Sequence, residues 1–483
     1  MKWWPGLLLL LALSEGAGAR VGGGESYSGG GGGGSGDDSG LIYFLLRIIL
    51  QLCLEYPAVG VPLLIAFVVG LAYFHSRPSV KVQEWSNSVK PTRQSSAALH
   101  DLMTVDPNFS RPLFLDFLGL LYTRAQSQKV AGLQSLAAYL SPEVREKLES
   151  DAKNRGVTGV DEVIVGSIRL VGVSGLHEEW TSLTVALETN YTEHLGDQKR
   201  LYYLVERWYL TRRSGVLSKG PEEITRLACP SCGNPGEPTS EGKCPFCDRL
   251  ITDGSYGWIV KSFTVTDRLD RPPMAVGGSG EELGTELPTV FQPGFDIRRK
   301  EFQASHPDFS WPEFEARVRH IFLNLQKAWS GRSWDEVRPY ETDSLFQTHR
   351  YWLTALELAG RTNRLEDVQV IGVEAVRVEP DAYFDAITVR IWASMKDYTV
   401  DSTGAVVAGS KDRVRRFSEY WTFIRRTGYT RGRAQDPGHC PSCGAPLDRV
   451  NMAGVCEYCG AKITSGDFDW VLSRIEQDEA YEA

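Results

Sequence analysis

Eight of the nine cysteines in this 483-residue chain fall into four Cys-x-x-Cys pairs, and only Cys53 stands alone. Cys229 and Cys232 are followed, after eleven residues, by Cys244 and Cys247; Cys440 and Cys443 are followed, after twelve, by Cys456 and Cys459. Two residues between sulfurs let a tight knuckle turn both thiolates toward one ion, and two knuckles complete a tetrahedral S4 shell with Zn–S bonds of ~2.3 Å. Gly233, Gly444 and Gly460 follow knuckles directly and supply the backbone freedom that such a turn needs. The pattern predicts two zinc ions per chain, one in each cysteine quartet. Redox or disulfide use fits less well because the four dithiols come in two matched sets, and iron is the minor alternative for an S4 shell. A closed S4 shell leaves no position for water or substrate, so the expected role is structural. His439 beside Cys440 is a spare donor where four cysteines suffice, and Cys53 reads as inert packing.

Zinc ribbons raise the question of nucleic acid, and charge answers it. The first ribbon sets Lys243 and Arg249 against Glu237, Glu241 and Asp248; the second sets Arg449 and Lys462 against Asp448 and Glu457. Neither is a phosphate-binding surface, and the whole chain carries a net charge of −9. Lys411, Arg413, Arg415 and Arg416 read as a solvated strand edge. No catalytic or cofactor-binding residue is assigned. His177, His194, His320 and His349 lie in no recognisable constellation, and the glycine run Gly29–Gly34 leads to no Gly-Lys-Ser/Thr. Hydrophobic residues at 42% and charged residues at 23% place the chain among globular proteins, and its length calls for several domains rather than one.

The elements around the cysteines occur twice. Asp106-Pro107-Asn108-Phe109-Ser110 returns as His306-Pro307-Asp308-Phe309-Ser310, and Leu183-Thr184-Val185 as Ile387-Thr388-Val389. Glu206-Arg207-Trp208 through Arg212-Arg213-Ser214-Gly215 returns as Glu419-Tyr420-Trp421 through Arg425-Arg426-Thr427-Gly428. Both cysteine modules then lead to Ile-Thr and a tryptophan: Ile251, Thr252, Trp258 and Ile463, Thr464, Trp470. Matched order of this kind means tandem duplication. In the second copy Ser310 and Glu313 form a capping box before the apolar helical face Phe314, Val318, Ile321, Phe322, Leu325 and Trp329. Ser333 and Thr342 open further helical turns, and strands are expected at Val368–Val378, Ala386–Ala393 and Val414–Arg425. The first copy runs in parallel, with helices begun by Ser110 and Ser141 and strands at Val163–Val173, Trp180–Asn190 and Arg200–Thr211. Helices grouped before an antiparallel sheet give an α+β fold class. Trp208 and Trp421 read as core.

The amino terminus reads as membrane apparatus. Residues 1–19 look like a signal peptide, 20–40 a Gly-rich tether, 41–55 an apolar helix striped with Tyr43, Arg47, Gln51 and Glu55, and 57–74 one transmembrane helix. Arg77, Lys81, Lys90 and Arg93 follow the span, while residues 21–40 hold only acids among charged groups. That asymmetry predicts a single-pass inner-membrane protein with its carboxy-terminal domains cytoplasmic. The expected order then runs 101–225 first cone, 226–263 first ribbon and tail, 264–301 linker, 302–433 second cone, 437–475 second ribbon and tail.

Helices followed by a sheet whose strand ends Trp-x-x-x-Arg-Arg resemble the carboxy-terminal domain of the mitochondrial import-translocase subunit Tim44, and still more its bacterial relatives. The resemblance is best over about residues 302–430 and looser in the first copy. It implies a cone-shaped fold of the nuclear-transport-factor-two type, membrane association and protein partners. The mitochondrial proteins carry one such domain and no cysteine modules. The leading expectation is therefore a non-enzymatic, membrane-anchored protein-binding scaffold, and the alternative an isomerase- or dehydratase-like enzyme using a cone cavity. A buried Asp or Glu opposite a Tyr within one cone would favour the enzyme. The topology is checked by protease added to right-side-out cells: both cones should survive, and their digestion would reverse the orientation.

Overall fold

The computed structural model describes residues 101–224, 227–270, 283–429, 439–440, 442–447, 449–451, 454–478 and 481. The signal peptide, tether, striped helix and span read from the sequence lie outside these residues. Among the described residues no helix is long and apolar enough to cross a membrane.

The first copy opens with α1 (Arg111–Gln128), placed by Ser110 and a proline in the first turn, which buries Leu113, Phe114, Phe117, Leu118, Leu121 and Tyr122. Helix α2 (Pro142–Asn154) is capped by Ser141, whose hydroxyl accepts the Val144 N–H at 3.4 Å. Four strands follow: β1 (Gly159–Ser174), β2 (Trp180–Leu195), β3 (Gln198–Arg213) and β4 (Ile259–Leu269), antiparallel and in that order. The second copy repeats the plan. Helix α3 (Phe295–Ser305) precedes α4 (Trp311–Gly331), where Ser310 accepts the Glu313 N–H at 3.4 Å. A 3-10 stretch, Trp334–Tyr340, leads to α5 (Asp343–Leu358). Its sheet is β5 (Thr362–Val378), β6 (Phe384–Val400), β7 (Val406–Arg426) and β8 (Val471–Gln477).

Each sheet wraps its helices because its first strand is bulged. Register slips fall between Asp161 and Ile164, Val165 and Ser167, and Leu170 and Gly172 in β1, and at three places in β5. Glu162 and Asp367 take left-handed backbone angles (φ 52° and 53°) at the first slip of each. An extra residue at each slip bends the strand and raises its local twist. Trp208 and Trp421 lie completely buried in the cores of the two copies, opposite Val185 and Val389 on the neighbouring strands.

The structure differs from the sequence expectation behind each ribbon. What reads as a tail is a fourth strand: β4 pairs with β3 (Trp208 opposite Phe263), and β8 with β7 (Trp421 opposite Ile475). Each ribbon is thus an insertion between the third and fourth strands. The segment expected as linker, 264–301, is also partly built in. It holds the end of β4 and the start of α3, and Gln292 joins the sheet edge through Val376 O (3.0 Å) and the Val378 N–H (3.1 Å). The other strands run longer than the sequence pattern shows, because polar alternation fades at their ends while pairing continues.

The two copies pack on each other within one compact unit. Tyr351 of α5 lies on the outer face of the first sheet, edge-on to Tyr203 with centroids 5.6 Å apart. Gly166 makes room for it, since a Cβ there would lie 2.4 Å from the ring. In return Leu113 of α1 meets Phe384, Ile424 and Val471 of the second sheet. Gly166→Val should destabilise the chain by about 1–3 kcal/mol through overpacking, and Tyr351→Ala by about 3 kcal/mol through the void left behind. Calorimetry should show the single melting transition splitting in two as the copies uncouple; an unchanged transition would mean the contact contributes nothing.

Candidate metal centres and buried polar clusters

The structure brings the eight paired cysteines into two quartets, within each of which all sulfurs lie within 4.8 Å of one another. Sulfur separations are 4.0 Å for Cys229–Cys247, 3.8 Å for Cys232–Cys244 and 3.9 Å for Cys440–Cys459. An S4 tetrahedron with bonds of ~2.3 Å has edges of ~3.8 Å, so the quartets fit one ion each. The eight thiols are free of disulfides.

The knuckles owe their shape to backbone hydrogen bonds. The Gly233 N–H bonds Cys229 O at 2.9 Å with φ 74°, and the Gly444 N–H bonds Cys440 O at 2.8 Å with φ 76°. Gly460 does the same beyond Cys456, but in the first ribbon Asp248 holds that left-handed position (φ 55°). Amide donors point at the sulfurs: Ser231 and Cys232 N–H each lie 3.4 Å from Cys229 Sγ. Burial pushes the Cys229 and Cys440 thiols up to about 12. Amide hydrogen bonding, led by Asn234 and Ala461, lowers Cys232 to about 6 and Cys459 to about 7. Each quartet therefore pairs a buried thiol that resists ionisation with an exposed one that ionises readily, and a divalent cation would displace the remaining protons.

A buried arginine clamps each ribbon to its cone. Arg212 pairs with Asp106 at 2.7 Å, both nearly inaccessible, while its guanidinium lies 4.3 Å over the Trp258 ring. Arg425 repeats this with Asp385 (3.5 Å) and Trp470 (4.5 Å), and His306 joins the same carboxylate at 3.1 Å. The first arginine of each Arg-Arg pair thus acts between cone and ribbon, whereas Arg213 is exposed. The repeated Glu-x-Trp likewise acquires a purpose: the indole N–H of Trp208 bonds Glu206 at 3.1 Å, and that of Trp421 bonds Glu419 at 2.9 Å.

Two further clusters had no signal in sequence spacing. In the second copy His349 and Glu341 form a buried pair at 2.7 Å, with His349 edge-on to Trp334. Next to it Asp343 takes both Arg338 and Lys462 of the second ribbon, and Ser344 N–H reaches Asp116 of α1 at 3.3 Å. Burial, with Asp343 nearby, pushes Asp116 up to about 7. In the first copy Tyr122 bonds Thr189 (2.8 Å) and Glu206, and burial raises Glu206 to about 7. The other flagged histidines stay apart: His194 bonds Asp161 at 2.6 Å, His320 bonds Tyr340 at 3.1 Å, and His177 is exposed. Lys411, Arg413 and Arg416 are exposed on β7 beyond the reach of β8, as a solvated edge requires.

Residues 299–434 match the Tim44-like domain family. The match runs from α3 to just past the end of β7, and stops short of the second ribbon. No curated protein matches the chain.

The clamp makes a sharp contrast between neighbouring arginines. Arg212→Ala would leave the Asp106 carboxylate buried without its counter-ion and held only by Ser218, an expected loss of about 3 kcal/mol, whereas exposed Arg213→Ala should stay within about 0.5 kcal/mol. Urea denaturation followed by tryptophan fluorescence checks this, and similar losses in both variants would refute the clamp.

Proposed function

We propose that this chain is a membrane-anchored protein-binding scaffold, in which two cones stiffened by structural zinc ribbons assist the handling of membrane proteins. The observation that carries the reading is a groove beside and within the Tim44-like region whose rim holds large apolar side chains in solvent. It encloses about 760 Å³ between α3, the start of α4 and strands β5 and β6, where Phe291, Ile297, Trp311 and Val373 stand beside the charged Asp296, Arg299, Glu315 and Glu374. Ile297 is 65% exposed and Phe291 44%. Large apolar side chains held in water beside a well-packed core mark a surface that meets a partner. The α5–β1 contact fixes the second copy on the first, so both present their surfaces in one geometry, and the proposed anchor at 57–74 would hold them at the inner membrane on its cytoplasmic side.

Zinc fits the reading as a structural element. Four thiolates in a closed shell supply folding energy and no open coordination position, and apparent binding energies of ~10 kcal/mol or more are typical. Cys229, Cys232, Cys244 and Cys247 would hold one ion, and Cys440, Cys443, Cys456 and Cys459 the other.

One observation favours an enzyme as the second reading: Glu206 and Tyr122 form the acid–tyrosine pair that cone-type isomerases use, and only in the first cone, since Phe322 matches Tyr122 in the second. Both groups are at most 2% exposed, which favours a packing role.

A photo-crosslinking residue at position 297 tests the scaffold in native membranes, with position 413 on the exposed β7 edge as control. A discrete protein captured at 297 and not at 413 supports it; equal capture at both, or none at 297, removes it. Elemental analysis should give two zinc ions per chain, and fewer than about one would remove the metal assignment.

A further inference from the structure

The duplication provides an internal control, because a buried charge in one copy can be compared with its counterpart in the other. At the end of the first cone remote from the ribbon, three cations converge on one carboxylate. Lys129, at the end of α1 and 2% exposed, lies 2.9 Å from Glu193, which is fully buried on β2. Arg155, at the end of α2, grips both oxygens of Glu193, and Arg268, near the end of β4, lies 2.9 Å from one of them. Arg200 sits directly across from Glu193 on β3 and is exposed. Arg268 stacks on Tyr202 at 4.4 Å, bonds Tyr191 OH at 3.3 Å, and has an Nε without a hydrogen bond.

The second copy shows that the fold does not need this charge. With Ser110 matched to Ser310, Lys129 corresponds to Trp329; with Val185 matched to Val389, Tyr191 corresponds to Met395 and Glu193 to Asp397. With Ser141 matched to Thr342, Arg155 corresponds to Leu356. There Asp397 meets Arg415 at 3.4 Å and the amide of Asn363 at 2.8 Å, and the apolar ring of Trp329 stands where the first copy buries an ammonium. Burying an ammonium costs several kcal/mol that an apolar side chain in the same place avoids. In the first copy one carboxylate can neutralise only one of the cations around it. The side chains of Arg155 and Arg268 remain 32% and 25% exposed, so the surplus positive charge reaches solvent.

We infer that this end of the first cone is an anion site that takes a phosphate group, with Arg155, Arg200 and Arg268 as its ligands and Lys129 behind them. Planar guanidinium forks approaching from three elements suit the three terminal oxygens of a phosphate monoester. Glu193 acts as the post that holds the forks in place. The phosphate could belong to a small metabolite or to a lipid headgroup; the chemistry of recognition is the same.

The test is calorimetric titration of the purified full chain with inorganic phosphate, glycerol phosphate and a water-soluble short-chain phosphatidate. Saturable binding is expected, together with a phosphate-dependent rise in melting temperature. Arg268→Gln and Arg155→Gln should each weaken it about tenfold, while Arg415→Gln in the second cone leaves it unchanged. Stronger binding of phosphatidate than of glycerol phosphate identifies a headgroup, and the reverse a soluble ligand. Absence of saturable binding by all three probes overturns the site. So does wild-type affinity in an Arg268→Gln chain whose melting temperature without phosphate matches the parent.

Discussion

Pairing between the third and fourth strands of each sheet is the constraint on which the rest of the molecule depends. The chain leaves β3 or β7, builds a cysteine ribbon, and must return in register so that Phe263 meets Trp208 and Ile475 meets Trp421. A loop closed at both ends by strand pairing cannot drift from its sheet, and a metal ion bound by the quartet would offset much of the entropic cost of closing it. The tryptophan just before each returning strand, Trp258 or Trp470, lies buried under the clamp arginine. Cone and ribbon are in this sense one folding unit, with the cysteines acting as a staple inside a sheet rather than as a separate module.

From that shared frame the copies have diverged in their polar interiors. The first cone buries Lys129, Tyr191 and Tyr122 where the second has Trp329, Met395 and Phe322. The second buries Arg338, Glu341 and His349 where the first has Ala137, Leu140 and Leu148. Each of these exchanges replaces apolar packing, which stabilises without needing partners, by groups that must find hydrogen bonds or ion pairs. The cluster of the second copy sits where its ribbon and α5 meet α1 of the first, so Asp343 and Lys462 tie three parts of the chain together. The cluster of the first copy joins Lys129, Arg155 and Arg268 to Glu193 within its own copy.

Docking of the copies also decides which surfaces remain available. Tyr351 covers the outer face of the first sheet at Gly166, and Leu113 covers part of the second. The groove bounded by α3 stays uncovered, with Phe291 and Ile297 in solvent. One side of the molecule is thus taken up by internal contact, while the groove side keeps Phe291 and Ile297 in solvent.

Local spacing was enough to determine the cysteine quartets, the serine caps at Ser141 and Ser310, the apolar helical faces, the buried tryptophans and the repeated order of elements. All of these are set by residues within a few positions of one another or by direct comparison of the two copies. Only the tertiary structure decided the fourth strands, the bulges at Glu162 and Asp367, the clamp on Arg212 and Arg425, and the pairing of His349 with Glu341. A strand such as Ile259–Leu269 has weak alternation and gains its identity from the partner beside it. An ion pair such as Arg212 with Asp106 joins residues 106 positions apart, and although both lie in repeated segments, nothing in either segment says that they meet. Periodicity reports the face that a residue turns inward; what it meets there depends on chain returning from far away.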